Sequence, residues 1–326
     1  MKHILLLVTS VALAGPAVAQ PARTHKFVPK SGVQTFAVRA PVLRVQPGDI
    51  VETSTYSHPG DYYSPEGGSW AGEVGPFWVE GATPDDTLVV RILKVELDRD
   101  TAVSSIRPAG LSALATDGRL RLLNDPLPAR RFIWRLDRQR NVGALDTPNS
   151  SVKKVEIPLH PMLGRVAVAP AGEEAFGGLW PGNFGGNMDA PEMREGTTVY
   201  LPIFHEGALF YFGDVHAAQG DGEVCGSGLE TTAAVTLQFD LVKGRRIDWP
   251  RAEDASDVMV IGSARPLIDA FRIAHVELIE WLVEAYGFEK MEAYQVVSQV
   301  GTARVANVVD PLYSVVAKFP KKLLPR

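Results

Sequence analysis

Apolar and polar positions alternate in short runs along the chain up to about position 262, and glycine, proline, asparagine or aspartate separates one run from the next. In the run 87–97, apolar side chains fall on both faces, as expected for a strand buried between two layers. Many short strands with no helical pattern between them predict an antiparallel sandwich or barrel. The predicted strands lie at 42–45, 50–56, 87–97, 131–136, 151–157, 197–202, 208–212 and 231–239.

The pattern changes near position 263, where the apolar period lengthens from two residues to about 3.6. Apolar residues recur at helical spacing within 265–286, and Gly287 fits the C-terminal cap of that helix. A second helix is predicted at 289–300. We therefore predict a mainly β (α+β) fold, with an antiparallel β-sandwich body to about position 262 and a helical C-terminal part at 263–326.

The first 19 residues have the composition of an export signal. Lys2 precedes an apolar run at 4–14, and a small-x-small triplet follows at 17–19. The run is shorter than the roughly 20 apolar residues that cross a bilayer. We therefore expect cleavage after Ala19 and a periplasmic or secreted protein in which 20–326 form one domain, without a membrane anchor.

Composition narrows the classes of partner and of metal site. The formal net charge of −5 gives no reason to expect nucleic acid or an anionic membrane as a partner. Cys225 is the only cysteine, which excludes an intrachain disulfide and a cysteine-rich zinc site. Any metal ion would therefore be bound by oxygen and imidazole ligands.

The densest group of chemically active residues lies at 209–223, where a β-run leads into a glycine-rich segment. Asp214 and His216 stand two apart and share a face of an extended chain, and Asp221 and Glu223 repeat that spacing. An imidazole with several carboxylates can bind a divalent cation such as zinc, or it can form an acid–base pair. A polar hairpin tip with a solvated histidine is the alternative.

A second candidate segment contains consecutive glycines. Gly185 and Gly186 can turn backbone N–H groups toward a developing oxyanion. Asn187 and Asp189, again two apart, can add a donor and an acceptor. An ordinary glycine turn between strands is the alternative.

A third candidate region combines the segments 58–61 and 75–82. His58 can supply an imidazole and Glu80 a carboxylate to a cleft that aromatic residues also line. For His58 alone, a position in a surface loop is the alternative. We retain both residues as candidate contacts with a substrate.

Several strings in the sequence resemble the acetamidase/formamidase family. The strongest is GDVHAAQGDGE at 213–223, and the others are GPFWVEGA at 75–82, GGNMD at 185–189, LPI at 201–203, GALF at 207–210 and VVDP at 308–311. The resemblance extends over roughly 40–315, whereas the segment 58–70 departs from it. It implies a β-sandwich with helical additions, hydrolysis of short amides to a carboxylate and ammonia, and a divalent metal ion at or near the site.

The resemblance and the chemistry of the residues together assign roles. We expect a cation held by oxygen and imidazole ligands to polarise the amide carbonyl and activate water; zinc is the expected ion and calcium the alternative. Glu223 is the expected general base. The full set is Asp214, His216 and Asp189 as metal ligands, Glu223, Asp221 and Asn187 as catalytic residues, and Gly185, Gly186, Glu80 and His58 as contacts with substrate or oxyanion.

The expected partner is a small-molecule amide, and the sequence does not distinguish a monomer from a homo-oligomer. Two rival interpretations remain. One is a hydrolase that uses acid–base chemistry without a metal ion, and the other is a periplasmic binding or scaffold domain in which the metal is structural. Closed coordination by protein ligands would favour the scaffold, whereas an open position beside Asn187 would favour the enzyme.

Overall fold

The computed structural model describes residues 22–106 and 128–325, so the predicted leader at 1–19 lies outside the described residues. The strands are β1 (Thr24–Lys26), β2 (Thr35–Phe36), β3 (Leu43–Val45), β4 (Ile50–Ser54), β5 (Val74–Val79), β6 (Thr87–Leu97), β7 (Thr101–Ile106), β8 (Arg130–Asp137), β9 (Val142–Asp146), β10 (Lys154–Pro158), β11 (Met162–Val168), β12 (Phe176–Gly177), β13 (Pro181–Gly182), β14 (Gly185–Asn187), β15 (Thr198–Pro202), β16 (Phe210–His216), β17 (Glu230–Thr231), β18 (Ala233–Val242), β19 (Arg251–Glu253), β20 (Asp257–Ala264), β21 (Thr302–Asn307) and β22 (Tyr313–Pro320). The helices are α1 (Leu267–Tyr286) and α2 (Lys290–Val300), with single 3-10 turns at Asp221–Glu223 and Lys321–Leu323. Neither α1 nor α2 is long and apolar enough to cross a membrane, and the same holds for every helix in the described ranges.

Two large sheets form the body of the molecule. The first has 9 strands in the order β1-β4-β18-β6-β15-β19-β20-β22-β21. The second has 11 strands along the path β10-β9-β8-β7-β17-β16-β11-β14-β13, with β5 joined to β16 and β3 joined to β5. Neighbouring strands pair antiparallel, apart from the parallel pairs β1–β4 and β3–β5 among the described strands. The predicted mainly β, antiparallel fold is confirmed.

Apolar side chains from both sheets meet in one core, which makes the body a sandwich. Phe77 of β5, in the second sheet, stacks on Phe239 of β18, in the first, with ring centroids 5.9 Å apart. The neighbouring residues Val89 and Val90 of β6 point to opposite faces, and both are buried. Burial on both faces is what the apolar pattern of this strand predicted.

The C-terminal part differs from the helical part that the pattern predicted for 263–326. Helix extends only from α1 to the end of α2, and β21 and β22 then return to the first sheet beside β20. β22 buries both faces, with Val316 in the main core and Val315 and Phe319 against the helices. A run that is apolar on both faces lacks the alternation that marks a strand, so periodicity could not separate it from helix.

Three buried strands position the candidate site. Every residue of β11 and of β16 is buried. In the ladder, Arg165 of β11 lies opposite Gly213 of β16 on one side and Asn187 of β14 on the other, and Met162 lies opposite His216. The polar side chains of these strands therefore project into the interior and not into solvent.

Candidate metal and catalytic site

Nine buried polar side chains meet where β11, β14 and β16 join their loops, and each of these residues is at most 8% exposed. We call this group the carboxylate cluster; it comprises Glu73, Arg165, Asn187, Asp189, Asp214, His216, Glu223, Glu230 and Asp310. Six of the nine are acidic, and one is a guanidinium. Burying so many ionisable groups is costly unless they are paired or hold a cation.

His216 is fixed in orientation by Gln219. The side-chain nitrogen of Gln219 donates to the backbone oxygens of Asp189, at 2.7 Å, and of Ala306, at 3.0 Å, which sets the direction of its amide. The amide oxygen therefore faces His216 Nδ1 at 2.8 Å and must accept a hydrogen bond from it. With the proton on Nδ1, the lone pair of a neutral His216 lies on Nε2, as in metal-binding histidines whose second nitrogen is hydrogen-bonded.

His216 Nε2 points at two carboxylates. It lies 3.4 Å from Asp214 Oδ1 and 3.2 Å from Glu230 Oε2, and all three residues are buried. The other oxygen of Glu230 accepts a hydrogen bond from the backbone N–H of Gly228 at 3.1 Å, so this carboxylate is also oriented. His216 Nε2 and Glu230 Oε2 have no hydrogen-bond partner among the described residues.

A second set of potential ligands shares the same imidazole. One ligand atom each from Asp189, His216 and Glu223 lies within 4.8 Å of the others, and the same is true of Asp214, His216 and Glu230. Asp189 Oδ1 is a further buried oxygen without a hydrogen-bond partner among the described residues. His216 therefore belongs to both sets, each of which contains a different pair of carboxylates.

Arg165 is the cation of the cluster. Its Nε donates to Asn187 Oδ1 at 2.6 Å and lies 3.2 Å from Asp214 Oδ2, and its Nη1 donates to Glu73. The guanidinium carbon lies 4.3 Å above the ring of Trp70. Burial alone would lower the pKa of Arg165, but Asp214 and Glu73 hold it above its usual value, so the side chain stays charged.

Asn187 links several members of the cluster. Its amide nitrogen donates to Asp189 Oδ2 and to Asp310 Oδ2, each at 2.6 Å, while its oxygen accepts from Arg165. Both N–H groups of the amide are therefore engaged with carboxyl groups. Asn187 thus fixes the positions of Asp189 and Asp310.

The backbone is strained at three of the carboxylates. Asp189, Asp214 and Glu223 have φ values of 45°, 56° and 48°, in the left-handed region that favours glycine. A residue with a Cβ in this region costs about 1–3 kcal/mol and is retained where the surrounding structure requires it. All three residues belong to the carboxylate cluster, as expected for strain that aims side chains into a functional site.

The charged neighbours of Asp214 lower the pKa of its carboxyl group. Burial alone would raise the pKa of Asp214, but Arg165 and His216 hold it well below its usual value, so Asp214 is ionised. Burial would lower the pKa of His216, but Glu230 and Asp214 raise it well above its usual value. Without a bound metal ion, these two carboxylates therefore favour the protonated form of His216.

The pKa values of three carboxyl groups of the cluster, those of Asp189, Glu223 and Asp310, shift in the opposite direction. Burial raises the pKa of Glu223 to about 8 and that of Asp310 to about 7. Burial, with Glu223 and Asp310 nearby, raises the pKa of Asp189 well above its usual value. Strongly shifted groups beside a cavity are typical of functional sites.

Some residues predicted from the sequence lie outside the cluster. The side chain of Asp221 is 63% exposed and pairs with Arg304 at 2.9 Å, although Glu223, two residues later, points inward. Glu80 accepts hydrogen bonds from Arg44 and from the indole of Trp78. The Nδ1 atom of His58 lies 3.1 Å from the backbone oxygen of Pro59, within its own loop.

Gly185 and Gly186 lie in β14, where the chain is packed against neighbouring backbone. A Cβ at Gly185 would lie 2.2 Å from the backbone oxygen of Val166, and one at Gly186 would lie 2.1 Å from that of Trp180. Both residues also have positive φ values, of 85° and 92°. Close backbone approach therefore explains why glycine is needed at these positions.

Four members of the cluster were not predicted from the sequence: Glu73, Arg165, Glu230 and Asp310. Arg165 could have been identified from the sequence, because it is the only charged residue in the apolar run of β11. Asp310 belongs to the string VVDP, which supported the family resemblance without being assigned a role. Glu73 lies just before β5 and Glu230 is the first residue of β17; neither has a local sequence pattern that would mark it, because only the fold brings these residues into the cluster.

Comparisons with known proteins support one family. The acetamidase/formamidase family model matches residues 171–324. The solved structure of an acetamidase from Yersinia enterocolitica has 34% identity and a TM-score of 0.83, with 95% of each chain covered. A predicted acetamidase/formamidase from Thermoanaerobacter tengcongensis has 28% identity and a TM-score of 0.78, covering 93% of this chain and 97% of that one.

Matches to curated relatives are shorter. An acetamidase from Mycolicibacterium smegmatis is 39% identical over 66 residues, which cover 20% of this chain and 16% of that enzyme. Across the curated relatives, the matches span between 16% and 30% of those proteins' lengths. Fold and site define a class of two-sheet β proteins with a buried cluster of carboxylates around one imidazole. The chain belongs to the acetamidase/formamidase family, because the Yersinia structure is 34% identical over 95% of both chains.

Proposed function

We propose that this protein is an amidohydrolase that cleaves the C–N bond of small linear amides to a carboxylate and ammonia. Membership of the acetamidase/formamidase family supports the reaction class. The observation that carries the proposal is the convergence of His216 Nε2, Asp214 Oδ1 and Glu230 Oε2 in a buried site. Such a site can activate water and stabilise charge on an amide oxygen.

The residues present fit a divalent cation. Two ligands bound at about 2.0–2.1 Å in tetrahedral positions lie about 3.3 Å apart. The distances from His216 Nε2 to Asp214 and Glu230, 3.4 Å and 3.2 Å, match this separation. The partnerless atoms of His216 and Glu230, and the excess of carboxylates over cations in the cluster, also suit a dication.

Zinc is the ion that this set of ligands favours. One imidazole and two carboxylates are a common three-residue zinc set that leaves a fourth position open, whereas calcium takes six to eight oxygen ligands. Zinc held by Asp214, His216 and Glu230 would polarise the amide carbonyl as a Lewis acid. Glu230 replaces Asp189, the residue predicted from the sequence, as the third metal ligand in this proposal.

Glu223 is the general base in this proposal. It lines a small cavity together with Asp214 and Glu230, beside the position where the amide must bind. Its carboxylate accepts a proton from water as the water oxygen bonds to the carbonyl carbon. The proton then passes to the amide nitrogen as the C–N bond breaks, so that ammonia leaves and the acyl group departs as a carboxylate.

Arg165 is the proposed donor to the developing oxyanion. It is permanently charged, lines the same cavity and is held by Glu73 and Asn187. A preorganised cation in a buried site stabilises a developing negative charge more than water does. In this proposal the side chain of Arg165, and not the backbone N–H groups of Gly185 and Gly186, stabilises the oxyanion.

A hydrolase that needs no metal ion is the second candidate. The raised pKa of His216 favours it, because an imidazolium between Asp214 and Glu230 could act as the acid partner of a carboxylate base. This candidate predicts full activity in protein that has been stripped of metal. A binding or scaffold protein, in contrast, would release no ammonia from any amide.

The first test measures ammonia release from formamide and acetamide together with metal content by elemental analysis. We expect about one divalent ion per chain, loss of activity on chelation and recovery when zinc is added. Asp214→Asn, His216→Ala and Glu230→Gln should lose the ion and the activity together, because a missing ligand weakens binding.

Asp100→Asn is the matched control. Asp100 is an exposed carboxylate paired with Arg138, and its loss should change neither metal content nor turnover. Retention of metal by Glu230→Gln with its loss from Asp189→Asn would assign the ion to the second ligand set. Full activity of chelated protein would establish the metal-free candidate.

A further inference from the structure

Two adjacent cavities at the carboxylate cluster differ in size and lining. The inner cavity, of about 20 Å³, is lined mainly by charged side chains of the cluster. The outer cavity, which we call the vestibule, has a volume of about 330 Å³ and is lined by Gln34, Tyr62, Gly68, Trp70, Arg165, Gly178 and Leu179. Trp70, Arg165 and Leu179 line both cavities, so the vestibule adjoins the inner cavity at these three residues.

The inner cavity has no space for a substituent. A cavity needs a volume of roughly 10–15 Å³ to hold one water molecule, so the inner cavity holds little more than one water molecule. Its lining by Asp214, Glu223 and Glu230 is also too polar for an apolar group. Only the reacting carboxamide of a substrate can approach the cluster, and the group attached to its carbonyl carbon must lie in the vestibule.

The vestibule has the lining of a site for an apolar ring. Tyr62 and Trp70 form an aromatic wall with ring centroids 5.8 Å apart, and Leu179 adds an aliphatic surface. The side-chain nitrogen of Gln34 is engaged with the backbone oxygen of Trp70 at 3.0 Å. The volume of the vestibule lies at the lower end of the range for small-molecule sites, roughly 300–1,000 Å³.

Trp70 is held in place before any ligand binds. Its indole N–H donates to Glu73 Oε1 at 3.1 Å, Arg165 lies 4.3 Å from the ring on one face, and the ring of Tyr63 lies 5.4 Å away. A wall that is already ordered loses little conformational entropy on binding. A ring stacked on Trp70 would therefore contribute nearly all of its contact energy to affinity.

We propose that the vestibule selects primary amides with an aromatic or comparably apolar acyl group, such as benzamide and phenylacetamide, over one- and two-carbon amides. This inference rests on the proposed amide hydrolysis. The acyl group would pack against Tyr62, Trp70 and Leu179 while the carboxamide reaches Arg165 and the cluster. N-substituted amides are excluded, because a group on the nitrogen would have to enter the inner cavity.

The first experiment compares kcat/KM of the metal-loaded full chain for formamide, acetamide, benzamide, phenylacetamide and N-methylbenzamide. One methylene in an apolar pocket changes kcat/KM by roughly 10–200-fold, so phenylacetamide should exceed acetamide by at least about tenfold. N-methylbenzamide should give no measurable release of methylamine. The preference should appear mainly in KM, since the ring contacts are made in the ground state as well.

The second experiment fills the vestibule from a position that does not touch the inner cavity. Gln34 is exposed and lines only the vestibule, so Gln34→Trp adds a ring where the acyl group would lie. The ratio of kcat/KM for phenylacetamide to that for acetamide should fall by at least about tenfold. Gln34→Ala, the matched control, removes the same amide without adding volume and should preserve the ratio.

The outcomes of these experiments distinguish a failure of this inference from a failure of the proposed amide hydrolysis. Hydrolysis of acetamide without a preference for the aromatic amides would overturn the inference and leave the amidohydrolase in place. An unchanged ratio in Gln34→Trp would equally remove the vestibule as the determinant of specificity. Absence of ammonia release from every amide would overturn the proposed function itself, and this inference with it.

Discussion

Asp221 and Glu223 show that a two-residue spacing predicts a shared face only where the chain is extended. In an extended chain the two carboxylates would share a face, and this is why both were expected in the site. They lie instead in a 3-10 turn in which Gly222 has a φ of 83° and Glu223 one of 48°. The reversal buries Glu223 and leaves Asp221 in solvent beside Arg304.

This difference in burial gives opposite expectations for two similar substitutions. Glu223→Gln should keep bound metal and lower kcat by about 10²–10⁴-fold, because an amide cannot relay a proton. Asp221→Asn should retain kcat within about tenfold, since it weakens only a contact that is exposed to solvent. Ammonia release, measured beside metal content, distinguishes them. Equal losses in the two variants would contradict the assignment of Glu223 as base.

Site residues could be predicted where the local sequence pattern indicates how the chain runs around them. Asp214 and His216 end an extended apolar run, and both do lie in the cluster. Glu230 lies on β17 and is brought to His216 by pairing with β16. That pairing depends on long-range register, which a local pattern does not contain.

At the scale of elements, the C-terminal strand β21 supports the turn that carries Glu223. Arg304 of β21 donates to Asp221 at 2.9 Å, and the N–H of Val308, just beyond the strand, donates to the backbone oxygen of Gly222 at 3.0 Å. Gln219, which orients His216, also donates to the backbone of Ala306. The part of the chain first assigned to helix therefore returns to hold the site, and periodicity alone could not reveal this.

Another junction between elements depends on Asp86. This buried carboxylate accepts from the backbone and hydroxyl of Thr83, at 2.9 Å and 2.8 Å, and from Lys243 and the backbone of Gly244, at 2.6 Å and 2.8 Å. It thereby joins the turn before β6 to the end of β18. Burial alone would raise the pKa of Asp86, but the hydrogen bonds from Lys243, Gly244 and Thr83 lower it to about 2.

The lowered pKa of Asp86 predicts a loss of stability in acid. Because the pKa is about 3.9 in the unfolded chain, the contribution is present above that pH and disappears as the pH falls through about 2. Asp86→Asn should lower the free energy of unfolding by about 2 kcal/mol at pH 7 and by less at pH 3. Urea unfolding at the two pH values measures this. Asp85→Asn, at the exposed neighbouring residue, should show no such dependence.

At the scale of the whole molecule, the sandwich was predictable because alternating apolar and polar residues, with turn residues between the runs, indicate its strands. The number of sheets and their order were not, since the 9-stranded and 11-stranded sheets are built from strands far apart in sequence. The carboxylate cluster lies within this body and draws residues from β11, β14, β16 and β17, from the segments before β5 and between β21 and β22, and from the 3-10 turn that carries Glu223. Binding of the proposed cation to the cluster would therefore be coupled to the stability of the entire fold.

This coupling predicts that zinc stabilises the protein through His216. An ion present at about 100 times its dissociation constant adds about 2.7 kcal/mol if it binds only the folded chain, which raises the midpoint of thermal unfolding by several degrees. We expect this rise in metal-free wild-type protein and its absence in His216→Ala. His58→Ala, which removes a histidine outside the cluster, should retain it. Scanning calorimetry with and without zinc provides the measurement, and an equal rise in His216→Ala would locate the cation elsewhere.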